Sequence, residues 1–177
     1  MPSGKTHDAI TFALAPFAGF SCYLITREAP ISAVAAVAFL FGGLMFGPDL
    51  DTNSKQFARW WIFKPIWLPY RLFFAHRSRW THGLLFGSLF RVIYFMGLLT
   101  LGSFAAVLFI SAYSGADTPS ATAFTHEWKH FGEAAGQRFG MSTLAAAFIG
   151  LWAGAASHTF TDIAGSYIKT GRIGKAL

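Results

Sequence analysis

The fold is decided by two apolar stretches near the N-terminus, AITFALAPFAGFSCYLI (residues 9–25) and ISAVAAVAFLFGGLMFG (residues 31–47), joined by the short polar turn TREAP (residues 26–30). Each stretch has 17 residues, the lower end of the ~17–25 residues that an α-helix needs to cross a bilayer. A tight polar turn between two such stretches predicts a helical hairpin that crosses a membrane twice.

Two further apolar stretches lie later in the chain. Residues 83–113 are interrupted only by Arg91, and residues 141–168 stay apolar until His158 and Asp162 near their end. Both are long enough to cross a bilayer, and small residues along the fourth stretch would let helices approach closely in lipid. The sequence therefore predicts an all-α membrane protein, a single domain over residues 1–177 that forms a four-transmembrane-helix bundle.

The composition agrees with a membrane location. Hydrophobic residues make up 54% of the 177 residues and charged residues 12%, against ~25% charged residues in soluble domains. This excludes a disordered chain and argues against an ordinary water-soluble enzyme. The only cysteine, Cys22, excludes a disulfide framework and any CxxC zinc or redox site.

A net charge of +6 can indicate a protein that binds nucleic acid, but the predicted membrane topology also accounts for it. We therefore expect no nucleic-acid partner. Four crossings place both termini and the 48–82 loop on one face with 10 basic residues, against 3 on the other face. Because basic residues accumulate on the cytoplasmic side of membrane proteins, both termini are predicted to be cytoplasmic. Residues 114–140 then form a non-cytoplasmic loop.

An aromatic and basic segment separates the second and third predicted spans, FARWWIFKPIWLPYRLFFA at residues 57–75. Pro65 and Pro69 would break a continuous helix over this segment, so we predict no fifth crossing here. Trp, Tyr and Arg together favour the headgroup layer. We predict an interfacial segment that contacts membrane lipid, and its alternatives are a plain lipid anchor or one wall of a lipid-facing active site.

The imidazole and carboxylate side chains are few, and most of them fall at one end of the predicted bundle. The first and third spans begin on the cytoplasmic face, and the second and fourth spans end there. Side chains near these four helix ends are therefore expected to lie close together. Ionisable groups near a bilayer are costly unless they are paired, hydrated or metal-bound. The pairs are His7 and Asp8, Asp49 and Asp51, His76 and His82, and His158 and Asp162.

His158 and Asp162 are four residues apart, which places both on one face of a helix, about 6 Å apart. We predict metal binding by His7, Asp8, Asp49, His76, His82, His158 and Asp162. So many ligands exceed one closed tetrahedral site, so two divalent ions are expected. Imidazole and carboxylate ligands without thiolate fit zinc, our first choice, and also manganese or iron.

Two further roles complete the predicted site. Asp51 is the candidate catalytic residue, which would accept a proton as general base, bridge ions or orient a ligand histidine. Lys5, Arg77 and Arg79 lie beside predicted ligands and would bind a phosphate group of the substrate. Ordinary cytoplasmic positive charge is the alternative reading of these three cations.

A literal HExxH stands at His126-Glu127-Trp128-Lys129-His130, a pattern that binds zinc on a helix in metalloproteases. It falls on the opposite side of the predicted bilayer, whose core of ~30 Å separates it from the other histidines. The metzincin continuation is absent, since Glu133 stands where that motif requires Gly. We interpret the match as accidental, on an amphipathic surface helix.

Several of these motifs together resemble a known family. The runs PSGKTHD, GPDLDTNS, RWWIFKPIWLPYR, HRSRWTHG and SHTFTD resemble an uncharacterised family of bacterial membrane proteins that bind metal. More distantly, the order DxD, HR…TH and HxxxD resembles the YdjM-like metal-dependent hydrolases of the bacterial inner membrane, which in turn resemble helical zinc-dependent phospholipase C. The resemblance implies a multi-pass protein of the bacterial cytoplasmic membrane.

Two functions are compatible with these observations. The first is a metal-dependent hydrolase of phosphoester substrates, such as a lipid phosphate, at the cytoplasmic membrane face. The second is a non-catalytic accessory subunit of a larger membrane complex, with other membrane proteins as partners and a structural metal site. An exchangeable water on the metal favours the first, and closed coordination favours the second.

Overall fold

The protein is all-helical throughout the part that the computed structural model describes, residues 3–74, 83 and 86–171. This confirms the predicted α class. Two 3-10 helices, Pro48–Asp51 and Trp61–Trp67, lie between the second and fourth α-helices. The α-helices are α1 (Gly4–Thr26), α2 (Ala29–Met45), α3 (Lys55–Arg59), α4 (Leu68–Phe73), α5 (Phe86–Ser114), α6 (Ala121–Phe139) and α7 (Met141–Thr170).

The first two helices form the expected hairpin. The hydroxyl oxygen of Ser3 accepts a hydrogen bond from the N–H of Thr6 and caps the start of α1. Arg27 ends α1 in the left-handed conformation, with φ of 59°, and its N–H donates to the carbonyl of Tyr23. Pro30 stands in the first turn of α2, where its missing N–H costs nothing.

Helix α2 packs against both α1 and α7, and the contact with α7 is very close. A Cβ atom added to Gly42 would lie 2.1 Å from the carbonyl oxygen of Leu151, and one added to Gly154 would lie 2.0 Å from that of Phe39. Only glycine allows two helix backbones to approach so closely. These glycines hold α7 against α2 over the length that leads to His158.

Three helical stretches are each long and apolar enough to cross a membrane by themselves: Gly4–Thr26, Ala29–Asp51 and Phe86–Ser114. The fourth predicted span coincides with α7. It is long and apolar enough to cross a membrane only when α6 and α7 are taken together as one span, and the axes of these two helices differ by 99°. The described residues therefore contain three clear candidate spans rather than four.

The long predicted loop over residues 114–140 is largely helical. Helix α6 occupies 19 of its residues, starting at Ala121 behind an N-cap by the Ser120 hydroxyl. Gly140, with a positive φ of 78°, separates α6 from α7 and accommodates the sharp bend. The amphipathic helix that we inferred for the HExxH stretch is thus present.

The aromatic segment is more buried than its interfacial prediction implies. Trp67 and Tyr70 have 0% exposure and pack under the end of α2, against Phe46. The Trp67 ring stacks on Phe95 of α5 at 6.0 Å between centroids. The other face of the segment keeps exposed apolar side chains, among them Trp61 at 77% exposure. The segment forms the small core that supports the Pro48–Asp51 turn.

Candidate metal centre

Three buried side chains from the two ends of the chain meet beside the end of α2. His7 lies on the buried face of α1, which continues every four residues through Thr11 and Ala15. His158 and Asp162 lie one turn apart on α7. All three are at least nine-tenths buried, with 6% exposure for His7, 4% for His158 and 6% for Asp162.

The ligand atoms of these residues are close enough for metal binding. One atom each from His7, His158 and Asp162 lies within 4.8 Å of the other two. Nε2 of His7 is 3.2 Å from Oδ1 of Asp162, and Nε2 of His158 is 3.7 Å from Oδ2 of the same carboxylate. The structure therefore brings together three of the seven predicted ligands in one buried group.

Asp49 lies against this group. Its Oδ2 is 3.2 Å from Nε2 of His158, and its side chain is partly exposed, at 28%. The backbone N–H of Asp49 donates to Oε1 of Gln56 at 3.2 Å, which positions the turn that carries the carboxylate. A small cavity of about 20 Å³, lined by His7, Asp49, Gln56 and His158 among others, adjoins the group.

Gln56 is a residue that sequence analysis missed. It is 4% exposed, and its Nε2 donates to the carbonyl of Gly43 at 2.8 Å and lies 3.0 Å from Nδ1 of His158. Because a backbone N–H and a backbone carbonyl fix the orientation of the amide, Nδ1 of His158 accepts this hydrogen bond. A glutamine in a polar helix start carries no sequence signal for this role.

Gly47 makes room for Gln56. A Cβ atom at Gly47 would lie 2.2 Å from the Gln56 amide nitrogen, so any larger residue would displace the amide. The glycine of the GPDLD run is therefore explained by packing against the centre rather than by turn conformation.

Asp8 points away from the three-residue group. Its Oδ2 accepts a hydrogen bond from Arg59 at 2.7 Å and lies 3.6 Å from Nζ of Lys55. Neighbouring residues on a helix point about 100° apart, so Asp8 cannot share the buried face of His7. The structure places Asp8 in a partly exposed ion-pair cluster at the edge of the small cavity.

Asp51, the predicted catalytic residue, is buried at 7% exposure but lies outside the three-residue group. It interacts electrostatically with Tyr70 and with Arg91, whose guanidinium is 1% exposed and donates to the Ser88 hydroxyl at 3.0 Å. Burial raises the pKa of the Tyr70 phenol above 10.0, and the charge of Arg91 opposes that rise. Asp51 thus belongs to a polar cluster that links α5 to the turn.

Four predicted site residues lie outside the part of the chain that the structure describes: His76, Arg77, Arg79 and His82. Their roles stay predictions. Lys5 is exposed in the first turn of α1.

The HExxH stretch lies on α6 and is not part of the centre. His126 and His130 are both well exposed, with 67% and 58% side-chain exposure. Their rings contact each other at 4.4 Å, and Glu133 lies 3.6 Å from His130. Helix α7 starts after α6, and His158 is about 25 Å further along it. Within the described residues, only the group of His7, His158 and Asp162 has metal-binding geometry.

The residues fit a divalent transition metal. Nε2 of His158 is buried and makes no hydrogen bond within the described part of the chain, although carboxylate oxygens of Asp49 and Asp162 lie 3.2 and 3.7 Å from it. A buried nitrogen without a hydrogen bond is costly, and a cation held between it and these carboxylates would remove that cost. Two imidazoles and carboxylates form a donor set that zinc, manganese and iron accept. His7, His158 and Asp162 would hold the metal, with Asp49 beside them.

Comparison with known proteins agrees with this geometry. No curated protein and no solved structure matches the chain. A family model described as uncharacterized metal-binding protein matches residues 2–172. It gives no support to the more distant YdjM-like relationship, which stays a resemblance. Because the match covers nearly the whole length, the chain belongs to this family of uncharacterized metal-binding proteins, DUF2227.

Proposed function

We propose that the protein is a metal-dependent hydrolase of the bacterial cytoplasmic membrane, acting on phosphoester groups of lipid substrates at the cytoplasmic face. The observation that carries this proposal is the buried group of His7, His158 and Asp162, which unites the first and last helices at one end of the helical core. Buried ionisable residues in an apolar bundle mark functional sites.

The membrane location is supported by the outer surface of the helices. Large apolar side chains face outward on α1, where Phe17 is 67% exposed, and on α5, where Leu101 and Phe109 are 71% and 73% exposed. An apolar surface of this extent is expected to face lipid rather than water. Since α7 packs along α2, it would lie in the bilayer with it, and the four crossings would put both termini in the cytoplasm.

A groove beside the aromatic segment suits a phosphorylated lipid. An open groove of about 490 Å³ is lined by Asp51, Leu68, Arg71 and Leu72. Arg71 would bind a phosphate, with Lys5, Arg77 and Arg79 as further predicted cations, and the two leucines would contact acyl chains. Asp51 reaches the groove from its buried position and would accept a proton from water there.

Zinc is the metal that we favour, with manganese or iron as alternatives, because the donors are nitrogen and oxygen only. When bound, such a metal supplies an acidified water and polarises a phosphoryl oxygen. His7 and Asp162 hold the centre between α1 and α7, and Asp49 is the ligand candidate nearest the outside, since it is the least buried of the four.

One observation favours a second function. The cavity beside the centre is only about 20 Å³, about the size that holds one water molecule, and three of the ligand residues are almost fully buried. A closed centre of this kind would staple α1 to α7. The protein would then be an accessory subunit of a larger membrane complex, without catalysis of its own.

Purified protein can decide between the two functions. Metal content and hydrolysis of a phospholipid, a polyprenyl phosphate and a chromogenic phosphate ester are measured for the wild type, Asp162→Asn and the control His126→Ala. The proposal requires wild type and His126→Ala to bind metal and hydrolyse at least one substrate, with both properties lost in Asp162→Asn. If the metal-loaded wild type hydrolyses none of these substrates, the hydrolase is rejected and the structural role of the metal remains.

A further inference from the structure

The two histidine rings of the centre are stacked. The centroids of the His7 and His158 rings are 3.7 Å apart, and their planes differ by only 8°. The in-plane lone pairs of the two buried imidazoles therefore lie in two separate, nearly parallel planes. This geometry limits how the rings can share metal ions.

A single ion between the rings would be poorly placed. An imidazole nitrogen binds a metal along its lone pair, in the plane of its ring. An ion midway between rings 3.7 Å apart would lie roughly 1.8 Å out of each plane, nearly the full Zn–N bond length of about 2.0–2.1 Å. Because the two ring planes are parallel and separate, the arrangement favours one ion in the plane of each ring.

The carboxylate of Asp162 serves both rings. Its Oδ1 lies 3.2 Å from Nε2 of His7, and its Oδ2 lies 3.7 Å from Nε2 of His158. Two ligand atoms on one tetrahedral ion, each about 2.0–2.1 Å from it, are roughly 3.4 Å apart. Each of these nitrogen–oxygen pairs is thus spaced to share an ion.

Asp49 adds a carboxylate ligand beside His158. Its Oδ2 is 3.2 Å from Nε2 of His158, which again matches the spacing of two ligands on one ion. The contacts form two sets: one joins His7 to Asp162, and the other joins His158 to Asp162 and Asp49.

We propose that the centre binds two divalent ions, one on His7 and one on His158, with Asp162 as the bridging carboxylate and Asp49 as a terminal ligand of the second ion. Two ions that share one bridging carboxylate are typical of the two-metal sites of hydrolases, where the ions lie ~3.5–4 Å apart. This inference rests on the metal binding of the proposed function, but it does not depend on hydrolysis.

The test measures how many ions bind to each chain and whether their electron spins are coupled. The wild type is purified metal-free, loaded with Mn²⁺ and examined by elemental analysis and electron paramagnetic resonance, beside His7→Ala, His158→Ala and the control His126→Ala. We expect two Mn²⁺ per chain and the halved hyperfine spacing of an exchange-coupled pair in wild type and in the control. Each centre variant should keep one Mn²⁺ with an uncoupled spectrum.

A single uncoupled Mn²⁺ in the wild type would overturn the two-ion centre, even if the protein hydrolyses phosphoesters. A coupled pair in a protein that hydrolyses nothing would leave the centre standing and reject the hydrolase. Because the wild-type spectrum decides the matter alone, misfolding of a variant cannot obscure the result.

Discussion

Replacement of Gly154 by alanine should separate α7 from α2 and disturb the metal centre from a distance. The new Cβ atom would lie 2.0 Å from the carbonyl oxygen of Phe39 and 2.9 Å from the backbone nitrogen of Gly43. Both neighbours are backbone atoms, which cannot turn aside as a side chain can. The helices would have to move apart by about 1.4 Å, from 2.0 Å to an ordinary contact of 3.4 Å.

The cost follows from this displacement. Overpacking of a tight interior costs 1–3 kcal/mol, and contact with two backbone atoms places Gly154→Ala near the upper end, at about 3 kcal/mol. His158 lies one helical turn beyond Gly154, whereas Asp49 follows the end of α2. Their 3.2 Å contact would therefore lengthen, and metal affinity should fall at least tenfold.

The measurement is thermal unfolding in detergent by circular dichroism, with metal affinity by competition with a chelator. Gly97→Ala is the matched control, because a Cβ atom on this glycine of α5 meets nothing within 4 Å. The control should unfold as the wild type does and bind metal normally. Equal unfolding temperatures for Gly154→Ala and Gly97→Ala would refute the close packing of α2 on α7.

Three further predictions concern the edge of the centre and the topology. Asp8→Asn should keep full metal content and lose less than about 1 kcal/mol of stability, because its partners form a partly exposed ion pair; elemental analysis showing a lost ion would make Asp8 a ligand after all. Gln56→Glu should tighten metal binding about tenfold. A metal on Nε2 of His158 places the ring proton on Nδ1, and a carboxylate at position 56 accepts that proton, whereas the amide nitrogen of Gln56 cannot. Weaker metal binding in the chelator competition would contradict this orientation of the amide. Reporter fusions should place both termini in the cytoplasm, whereas a cytoplasmic N-terminus with an external C-terminus would mean three crossings instead of four.

The pairing of sequence positions at one end of the bundle could be predicted because helices of similar length alternate in direction. His7 lies in the first turn of α1, Asp49 follows the end of α2, and His158 and Asp162 lie late in α7. The structure brings these four together. The same reasoning also included Asp8, although helical periodicity already shows that it cannot face the same way as His7.

Gln56 and the burial of the aromatic segment were not predictable in this way. Nothing in the pattern of residues 55–75 shows which aromatic rings turn inward, and Trp61 and Trp67 differ from 77% to 0% exposure. That difference depends on where α5 packs, because Phe95 provides the surface on which Trp67 stacks. Amide contacts such as that of Gln56 with His158 join residues 102 positions apart.

The amino-acid sequence by itself determined the helical class, the hairpin and the end of the bundle where the ligands gather, because these follow from apolar length and from alternating direction. Only the tertiary structure decided which of the candidate ligands share a buried group, that the rings of His7 and His158 stack, and that Asp162 lies opposite both. The physical reason is that side-chain direction depends on the rotation of each helix about its axis, and packing at glycines such as Gly154 fixes that rotation.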